Sequence, residues 1–341
     1  MEENKPTFVF WYPHPMHKMW SDSITDTHTS FLPEAWLETF RLSPSIIHQF
    51  LAALTFWRIP KANTYLIENM ICMLPTYLRS PKSKRILMNC DNFFDTYKNT
   101  TGIKRKIYTW LMSKIDGYIS NSELSRQTLS KYIDVPNKVV YPGINSKFFS
   151  INPDFNSNNI AHGMSGIKWQ KGSDIMIEAY NKLQNPKGHL YLIGPMALDG
   201  FVKDNVTDIQ SLKEIKTIDE SQPIISTGFV DKPEQYLTKC EIFVNPARYE
   251  PFGMNILEAM AAGFAPIVSV NCGAKVIVEQ IDKHLIIQPT PLEIIKTIKW
   301  LNQGNRKQDL GIKAKQIASK YTIKTSVDNF KQKFQELLSE I

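Results

Sequence analysis

The sequence has few of the features that mark secreted, metal-binding or membrane-spanning proteins. It holds 4 cysteines in 341 residues, with no C-x-x-C pair and no histidine closely spaced to a cysteine. This argues against a disulfide framework or a zinc site. No apolar run approaches the ~20 residues that span a bilayer. The first residues are acidic where a secretory signal is basic. We therefore expect a soluble, cytoplasmic protein with free thiols and with no metal or other cofactor.

Acidic residues are outnumbered, and the excess of positive charge is uneven. The net charge is +7, and residues 1–150 hold 18 Lys and Arg against 12 Asp and Glu, whereas the rest hold 22 against 21. The excess gathers in RSPKSKR (79–85) and in GIKRKIYTWLMSK (102–114), where apolar residues interleave with cations. Three interpretations are open: a solvated face, peripheral contact of the basic N-terminal domain with the inner membrane surface or a phosphorylated lipid, and nucleic acid. No helix-turn-helix, RNA-binding or zinc-finger pattern supports the last, so we expect no nucleic-acid partner.

The most informative stretch is residues 244–263, VNPARYEPFGMNILEAMAAG. An apolar run typical of a buried strand precedes it and another follows it, while MNILEAMAA favours a helix that Gly263 ends. Strand, helix and strand in so short a space predict a parallel pair, with the loop 246–253 at the carboxyl edge of the sheet. Open α/β sheets bind their ligands at that edge.

Two glutamates flank the predicted start of this helix. Glu250 precedes the helix, and Glu258 lies about a turn and a half inside it, along the same rim. Between them, the amides of Phe252, Gly253 and Met254 have no intrahelical acceptor, at a helix end that suits a phosphate. Amides for phosphate and carboxylates for hydroxyls indicate a nucleotide-sugar site. The simpler alternative is that both glutamates are solvated acids at a helix end.

The pattern E-P-F-G-x-x-x-L-E-A-M-A-x-G resembles the E-x7-E signature of retaining glycosyltransferases of family 4. The resemblance implies an α/β GT-B fold, in which two Rossmann-like doubly wound domains face each other across a cleft. It implies that Glu250 contacts hydroxyls of the donor sugar and that Glu258 binds the ribose. The amides of Phe252, Gly253 and Met254 would meet the sugar and the diphosphate.

A second motif of the same family precedes a predicted helix, whose apolar positions 175, 177, 179, 180 and 183 fit a buried stripe. The family pattern is G-R, a short spacer and K-G-x-D, and its last part is matched by Lys171, Gly172 and Asp174. In the family the Arg and the Lys both bind the diphosphate, but here Ser165 or Gly166 stands in place of the Arg. Because a lone Lys lacks the rigid fork of a guanidinium, Lys168 in the same loop is the candidate substitute. The resemblance also places Gly228, Phe229 and Val230 against the nucleotide base.

The first domain matches the family only in outline. A strand is predicted at TFVFWY (7–12), and the loop after it lacks the paired glycines that family members often carry. Its His14 and His17 are candidates for contact with the acceptor or a phosphate oxygen, with ordinary surface histidines as the alternative. A zinc pair is disfavoured because nothing nearby completes four ligands. The predicted strand RILMNCD (85–91) ends at Asp91, a candidate polar residue or general base.

The segment GYISNSELSRQTLSKYI (117–133) predicts a short strand followed by a helix that Ser122 caps. It resembles a family segment that ends S-E-x-x-R, and Ser122 is the third acceptor-side candidate. IIHQFLAALTFW (46–57) is apolar on most faces, which predicts a helix that is either buried or meets a partner, with a core helix as the simpler interpretation. We predict an acceptor-side Rossmann-like domain over 1–147, a nucleotide-sugar-binding Rossmann-like domain over 148–320, and a helix at 321–341 that crosses back to the first domain.

These residues together predict a retaining, metal-independent glycosyltransferase that moves a hexose from a nucleoside-diphosphate sugar to a glycan or lipid-linked acceptor. Lys171, Lys168 and the helix amides would meet the charge on the leaving diphosphate, and Glu250 would hold the sugar. Two alternatives remain. The missing Arg and the missing glycines fit a degenerate sugar-nucleotide-binding protein, and a GT-B epimerase or hydrolase would consume the donor without an acceptor.

Overall fold

A computed structural model describes residues 5–11, 14–30, 53–164, 166–183, 187–195 and 221–341. Most of the predicted core helix at 46–57 and the donor-side candidate Ser165 lie outside these residues. By the density of their contacts, the residues group into two compact units: a first unit of 1–143 with 323–341, and a second unit of 144–322.

Within the described residues, each unit contains one six-stranded sheet in which every neighbouring pair of strands is parallel. The strands are β1 Thr7–Phe10, β2 His28–Ser30, β3 Thr64–Ile67, β4 Lys84–Asn89, β5 Gly117–Ser120, β6 Asn137–Val139, β7 Ile160–Gly163, β8 Leu190–Ile193, β9 Ile224–Gly228, β10 Ile242–Asn245, β11 Ile267–Ser269 and β12 Ile286–Ile287. The α-helices are α1 Pro15–Asp22, α2 Met73–Arg79, α3 Phe93–Tyr97, α4 Gly102–Met112, α5 Glu123–Leu129, α6 Ser173–Lys182, α7 Glu234–Leu237, α8 Met254–Ala262, α9 Lys275–Val278, α10 Pro291–Leu301, α11 Arg306–Ala318 and α12 Ile323–Glu340.

In the first unit the strand order is β2-β1-β3-β4-β5-β6. The order reverses between β1 and β3, and such a switch point opens a crevice at the carboxyl ends of the two strands. The predicted first strand stops at Phe10 rather than at residue 12, because the amide of Trp11 donates to the Glu68 carboxylate at 3.0 Å. The C-terminal helix α12 packs in this unit, where Phe330 stacks on the buried Trp20 with ring centroids 5.0 Å apart.

In the second unit the strand order is β12-β11-β10-β7-β8-β9, which is that of a dinucleotide-binding fold. Here the switch point lies between β7 and β10, which pair through Ile160 and Ile242. The strand, helix and strand predicted around residues 244–263 are confirmed as β10, α8 and β11, and β10 pairs with β11 in parallel. The loops that follow β7 and β10 therefore emerge side by side at the edge where such sheets bind ligands.

Close packing explains why residue 172 of the K-G-x-D motif is a glycine. Gly172 has φ +71°, and a Cβ there would lie 2.1 Å from the carbonyl oxygen of Pro246 in the loop after β10. Only a residue without a side chain lets the two loops approach so closely. The first turn of α6 thus lies directly against the loop that carries Glu250.

Gly172→Ala should destabilise the second unit much more than Gly304→Ala. Gly304 has φ +61° but open space around its missing Cβ, so its substitution costs only the left-handed backbone penalty of roughly 1–2 kcal/mol. Gly172→Ala adds a steric overlap of a further ~1–3 kcal/mol. Urea unfolding of both variants measures the difference, and equal unfolding midpoints would contradict the close approach.

Candidate active site

The loops after β7 and β10 are hydrogen-bonded to each other at the switch point of the second sheet. The amide of Arg248 donates to the carbonyl oxygen of Gln170 at 2.9 Å. The side-chain amide of Gln170 in turn donates to the carbonyl oxygen of Tyr249, also at 2.9 Å. The two loops therefore form one surface rather than two independent segments.

Arg248 provides the strongest contact between these loops. Its guanidinium donates to both carboxylate oxygens of Asp174 at 2.7 and 2.6 Å, and it lies 4.2 Å from the centre of the Trp169 ring. A bidentate, stacked arginine is rigid and is not replaceable by lysine. The aspartate of the K-G-x-D motif thus fixes the loops. Arg248 was not among the residues predicted from the sequence, although Asp174 had no assigned partner and an arginine lies two residues before Glu250.

Lys171 and Glu250, predicted to be catalytic, meet at this surface. The ammonium group of Lys171 forms an ion pair with Oε2 of Glu250, and the two side chains are only 17% and 8% exposed. Because a buried charge is costly unless it is paired, each group compensates the other. Two residues that are 79 positions apart in the chain therefore share one electrostatic site.

The segment after Glu250 is fixed from its other side by residues 271–274. The amide of Gly273 donates to the carbonyl oxygen of Glu250 at 2.9 Å, and the amide of Ala274 donates to that of Phe252 at 2.8 Å. Gly253 follows with φ +98° as the N-cap of α8, so the predicted helix start at Met254 is confirmed. The start of α8 lies beside Glu250, since a Cβ at Gly253 would be 3.2 Å from Cγ of that residue.

A neutral histidine supports the loop after β7 from below. His162 is buried, and one ring nitrogen lies 2.9 Å from the Val244 carbonyl oxygen while the other lies 2.8 Å from the Ser173 hydroxyl. Burial lowers the pKa of His162 to about 4, so the ring has one donor and one acceptor, and it donates to the carbonyl. Ser173 then accepts the amide of Lys168 at 3.1 Å. The Lys168 side chain is exposed, and its ammonium group makes no hydrogen bond to a described residue.

Glu258 lies in a different charge cluster. Desolvation raises its pKa to about 7, an effect that the nearby Glu234 strengthens and that Lys147 opposes. Lys147 and Glu234 are themselves paired at 2.9 Å. The carboxyl group of Glu258 therefore keeps its proton to a higher pH than an exposed glutamate does, and the protonated form can both donate to and accept from a hydroxyl.

The other donor-side candidates differ in exposure. Phe229 is 79% exposed at the end of β9, and Gly228 before it has φ +60° with open space around it, whereas Val230 is half-buried. Gly166, in place of the family arginine, is buried with φ +110°. Phe229 thus presents a free ring face, whereas position 166 is confined.

A buried carboxylate organises the switch point of the first sheet. Glu68 follows β3 and is 4% exposed. Its oxygens accept the amides of Trp11 and His14, each at 3.0 Å, and Oε1 lies 3.1 Å from Nδ1 of His17. The carboxylate thus binds and fixes the amides of this loop, whereas a glycine-rich loop leaves its amides for a ligand to bind. Glu68 was not among the residues predicted from the sequence. Its position directly after an apolar strand places it at the carboxyl edge, but does not show which groups it contacts.

The acceptor-side candidates of the first unit are only partly brought together. The rings of His14 and His17 are 5.3 Å apart, and Asp91 interacts electrostatically with His17 and Glu68. Burial and the neighbouring His17 lower the pKa of His14, whose Nδ1 accepts the amide of Met16 at 3.3 Å. Ser122 is buried, and its hydroxyl caps α5 by accepting the amide of Ser125 at 3.0 Å.

Glu68→Ala should destabilise the first unit by about 2–4 kcal/mol, because it leaves buried amides and a ring nitrogen without an acceptor. Glu123→Ala is the control, since its carboxylate pairs with Arg126 at the surface and should cost less than about 1 kcal/mol. Thermal unfolding measures the stabilities, and nitrogen NMR of His17 reports its tautomer. Unchanged stability and an unchanged His17 signal in Glu68→Ala would contradict this role.

Glu258→Gln should change how stability depends on pH. The folded pKa of about 7 exceeds the ordinary value of 4.5, so the folded state holds a proton that the unfolded state releases between these values. Wild-type stability should therefore fall as pH rises through this window and level off above it. Glu258→Gln has no such titration. The unfolding temperature of Glu258→Gln minus that of the wild type should therefore be larger at about pH 8 than at about pH 4. The same difference at both pH values would contradict the raised pKa.

Three further properties concern the described residues as a whole. Within the ranges given above, every helix is too short or too polar to cross a membrane. The same residues include no group of three or more His, Cys, Asp or Glu side chains placed to hold a metal ion. All four cysteines are described, and all four are free thiols.

Curated proteins similar to this chain are glycosyltransferases and sugar-phosphate synthases. Mannosylfructose-phosphate synthase of Agrobacterium fabrum is 33% identical over 110 residues, covering 30% of this chain and 23% of that protein. An uncharacterised glycosyltransferase of Methanocaldococcus jannaschii is 24% identical over 68% of this chain and 63% of its own length. Lipopolysaccharide core biosynthesis mannosyltransferase LpsB of Rhizobium meliloti is 27% identical over 51% and 52%. The matches thus span from about a quarter to under two thirds of these relatives.

Solved structures share the fold over most of the chain. HepE of Anabaena, in complex with UDP-glucose, is 16% identical with a TM-score of 0.73 and covers 97% of this chain and 99% of its own. Sucrose-phosphate synthase of Thermosynechococcus elongatus is 15% identical with a TM-score of 0.67 and covers 87% and 80%. The predicted GT-B fold is thereby confirmed. The model of the glycosyl transferases group 1 family matches residues 147–317, half of the chain, and the chain belongs to that family.

Proposed function

We propose that this glycosyltransferase is a retaining enzyme that moves a hexose from a nucleoside-diphosphate sugar to a glycan or lipid-linked acceptor without a metal ion. The observation that supports this most directly is the Lys171–Glu250 pair at the β7/β10 switch point, beside the start of α8. HepE, which shares the fold, is in complex with UDP-glucose, and this supports a nucleotide-sugar donor.

The second unit binds the donor in this proposal. The start of α8 and the ammonium group of Lys171 receive the diphosphate, because the positive end of a helix and a lysine lie together there. Glu250, held by Lys171, accepts hydrogen bonds from hydroxyls of the sugar. Glu258 binds the ribose, and Phe229 offers its exposed ring to the base. Donors arranged before the reaction stabilise the charge that develops as the diphosphate leaves.

Lys168 compensates for the arginine that the family pattern places at residue 165 or 166. Its amide is fixed by Ser173 while its side chain is exposed, so the ammonium group can reach a phosphate from the same loop. The two lysines provide point charges and not a fork, so we expect the diphosphate to be held more by charge than by fixed geometry.

The first unit binds the acceptor in this proposal. Nδ1 of His17 donates to the Glu68 carboxylate, and the other ring nitrogen, Nε2, is left to hydrogen-bond with a hydroxyl of the sugar acceptor. His14 and Asp91 lie at the same edge and supply further polar contacts. The acceptor oxygen bonds to the anomeric carbon from the face that the diphosphate leaves, the bond between that carbon and the diphosphate oxygen breaks, and the hydroxyl proton passes to the departing phosphate. The configuration of the anomeric carbon is thus retained.

Lys171→Met and Glu250→Gln should each lower turnover by roughly 10²–10³-fold, since each removes charge aimed at the reacting groups. Lys182→Met and Glu178→Gln, an exposed surface pair on the neighbouring α6, are matched controls and should keep wild-type turnover. The readout is nucleoside-diphosphate release from a panel of nucleotide sugars, with a glycan and lipid extract as acceptor. The double variant Lys171→Met/Glu250→Gln leaves no unpaired buried charge, so its loss of activity with a normal unfolding temperature excludes misfolding as the cause.

The same assay separates the alternative functions. Release that requires the extract supports transfer, whereas equal release without any acceptor indicates a hydrolase or an epimerase. Binding of nucleotide sugar, seen as a raised unfolding temperature, without release in any mixture indicates a degenerate binding protein. Near-normal turnover in Lys171→Met would remove that residue from the proposed role.

A further inference from the structure

Helix α4 exposes a row of large apolar side chains on the first unit. Ile103, Ile107 and Trp110 are 77%, 41% and 42% exposed. They are spaced at i, i+4 and i+7, so they lie on one face of the helix. Single exposed apolar residues need no explanation, but a row of three on one helix marks a contact surface.

The charge around this row has one sign. Between Asp95 and Asp116 the sequence holds five cations and no acid, and three of the cations belong to α4 itself. The exposed Lys104 and Lys106 flank the apolar row on the helix, and the ammonium group of Lys114 lies 5.8 Å from the centre of the Trp110 ring. Apolar side chains bordered by lysines suit a partner in which an apolar layer lies next to an anionic layer.

The opposite face of α4 fixes the helix firmly to the first unit. Tyr108, Leu111 and Met112 are buried in its core. Trp110 also packs edge-on against Tyr77 of α2, with ring centroids 5.0 Å apart. The exposed row is therefore presented by a rigid support and not by a mobile segment, so little conformational entropy is lost when it meets a partner.

We propose that this face of α4 docks on an anionic lipid bilayer. Ile103, Ile107 and Trp110 enter the boundary between headgroups and acyl chains, and Lys104, Lys106 and Lys114 pair with lipid phosphates. An apolar face flanked by lysines lies in the interface plane in this way, with Trp at headgroup level. The docking does not depend on sugar transfer, although it would bring a glycosyltransferase to a lipid-linked acceptor.

Charge complementarity favours a bilayer over a protein or a nucleic acid. Protein interfaces are depleted in lysine at their centres, whereas here lysines border each part of the row. A nucleic-acid surface would use the cations but would leave the two isoleucines exposed to water, because phosphate contacts do not bury aliphatic side chains. A bilayer satisfies both features at once.

Sedimentation of the full chain with vesicles tests the proposal. Phosphatidylcholine vesicles that contain about a third phosphatidylglycerol should bind the wild-type chain, and pure phosphatidylcholine vesicles should bind it much more weakly. Ile103→Ser/Ile107→Ser/Trp110→Ser should abolish binding. Lys104→Gln/Lys106→Gln/Lys114→Gln should weaken it roughly a hundredfold, and salt at about 1 M should weaken the wild type to a similar level.

Matched controls come from the second unit. Leu292→Ser/Ile312→Ser removes two apolar side chains that are 60% and 61% exposed, and Lys182→Gln/Lys239→Gln/Lys320→Gln removes three exposed lysines. Both should bind vesicles as the wild type does. An unfolding temperature like that of the wild type shows that each α4 variant is folded. This control does not use nucleotide sugars, so the vesicle result is unaffected if the proposed enzymatic function fails.

Three outcomes would overturn the proposal. The first is no sedimentation of the wild-type chain with either vesicle, and the second is equal loss of binding in the α4 variants and in their controls. The third is binding of duplex DNA or RNA that the α4 lysine variant abolishes, in a chain that ignores vesicles. Binding to anionic vesicles that the α4 variants lose and the controls keep supports it.

Discussion

The bidentate contact between Arg248 and Asp174 is the constraint on which the second unit's site depends. At a switch point the two loops leave neighbouring strands toward opposite faces of the sheet, so nothing in the sheet itself holds the loops together. The arginine joins them, because it is anchored in the loop after β10 and grips the first turn of α6. Gly172 then lets the backbones touch at Pro246. Lys171 lies next to this contact and reaches Glu250 as a consequence.

Each unit buries a carboxylate at the switch point of its sheet, and the two units compensate that charge with different partners. In the second unit a buried carboxylate, Glu250, is balanced by a lysine. In the proposed function this pair opens toward the ligand, because the diphosphate and the sugar offer each partner an alternative. In the first unit the buried carboxylate of Glu68 is balanced by two backbone amides and an imidazole. Amides cannot leave, so that site is rigid. We infer that the donor side is built to exchange partners and the acceptor side to keep its shape.

Much of the second unit could be predicted from local sequence. The strand, helix and strand around Glu250 follow from residue propensities and from Gly263, and the helix begins at Met254 as expected. What the sequence could not give was the pairing of side chains distant in the chain. Arg248 with Asp174, and His162 with Ser173, depend on strand order, which brings β7 beside β10. The charge cluster of Glu258 with Lys147 and Glu234 is of the same kind.

The candidate site of the first unit was harder to predict, because the arrangement of its residues depends on one buried acid, Glu68. An acidic residue after a strand is normally a solvated residue, and nothing local to Glu68 shows that two amides from the loop after β1 will reach it. The absence of paired glycines shows that this loop differs from the loop of the family, but it does not show how. The contacts of Glu68 explain the difference. A glycine loop keeps its amides available for an anionic ligand, whereas here the Glu68 carboxylate already occupies the amides of Trp11 and His14. These two amides cannot also serve a phosphate, and in the proposed function that role belongs to Lys171, Lys168 and the start of α8.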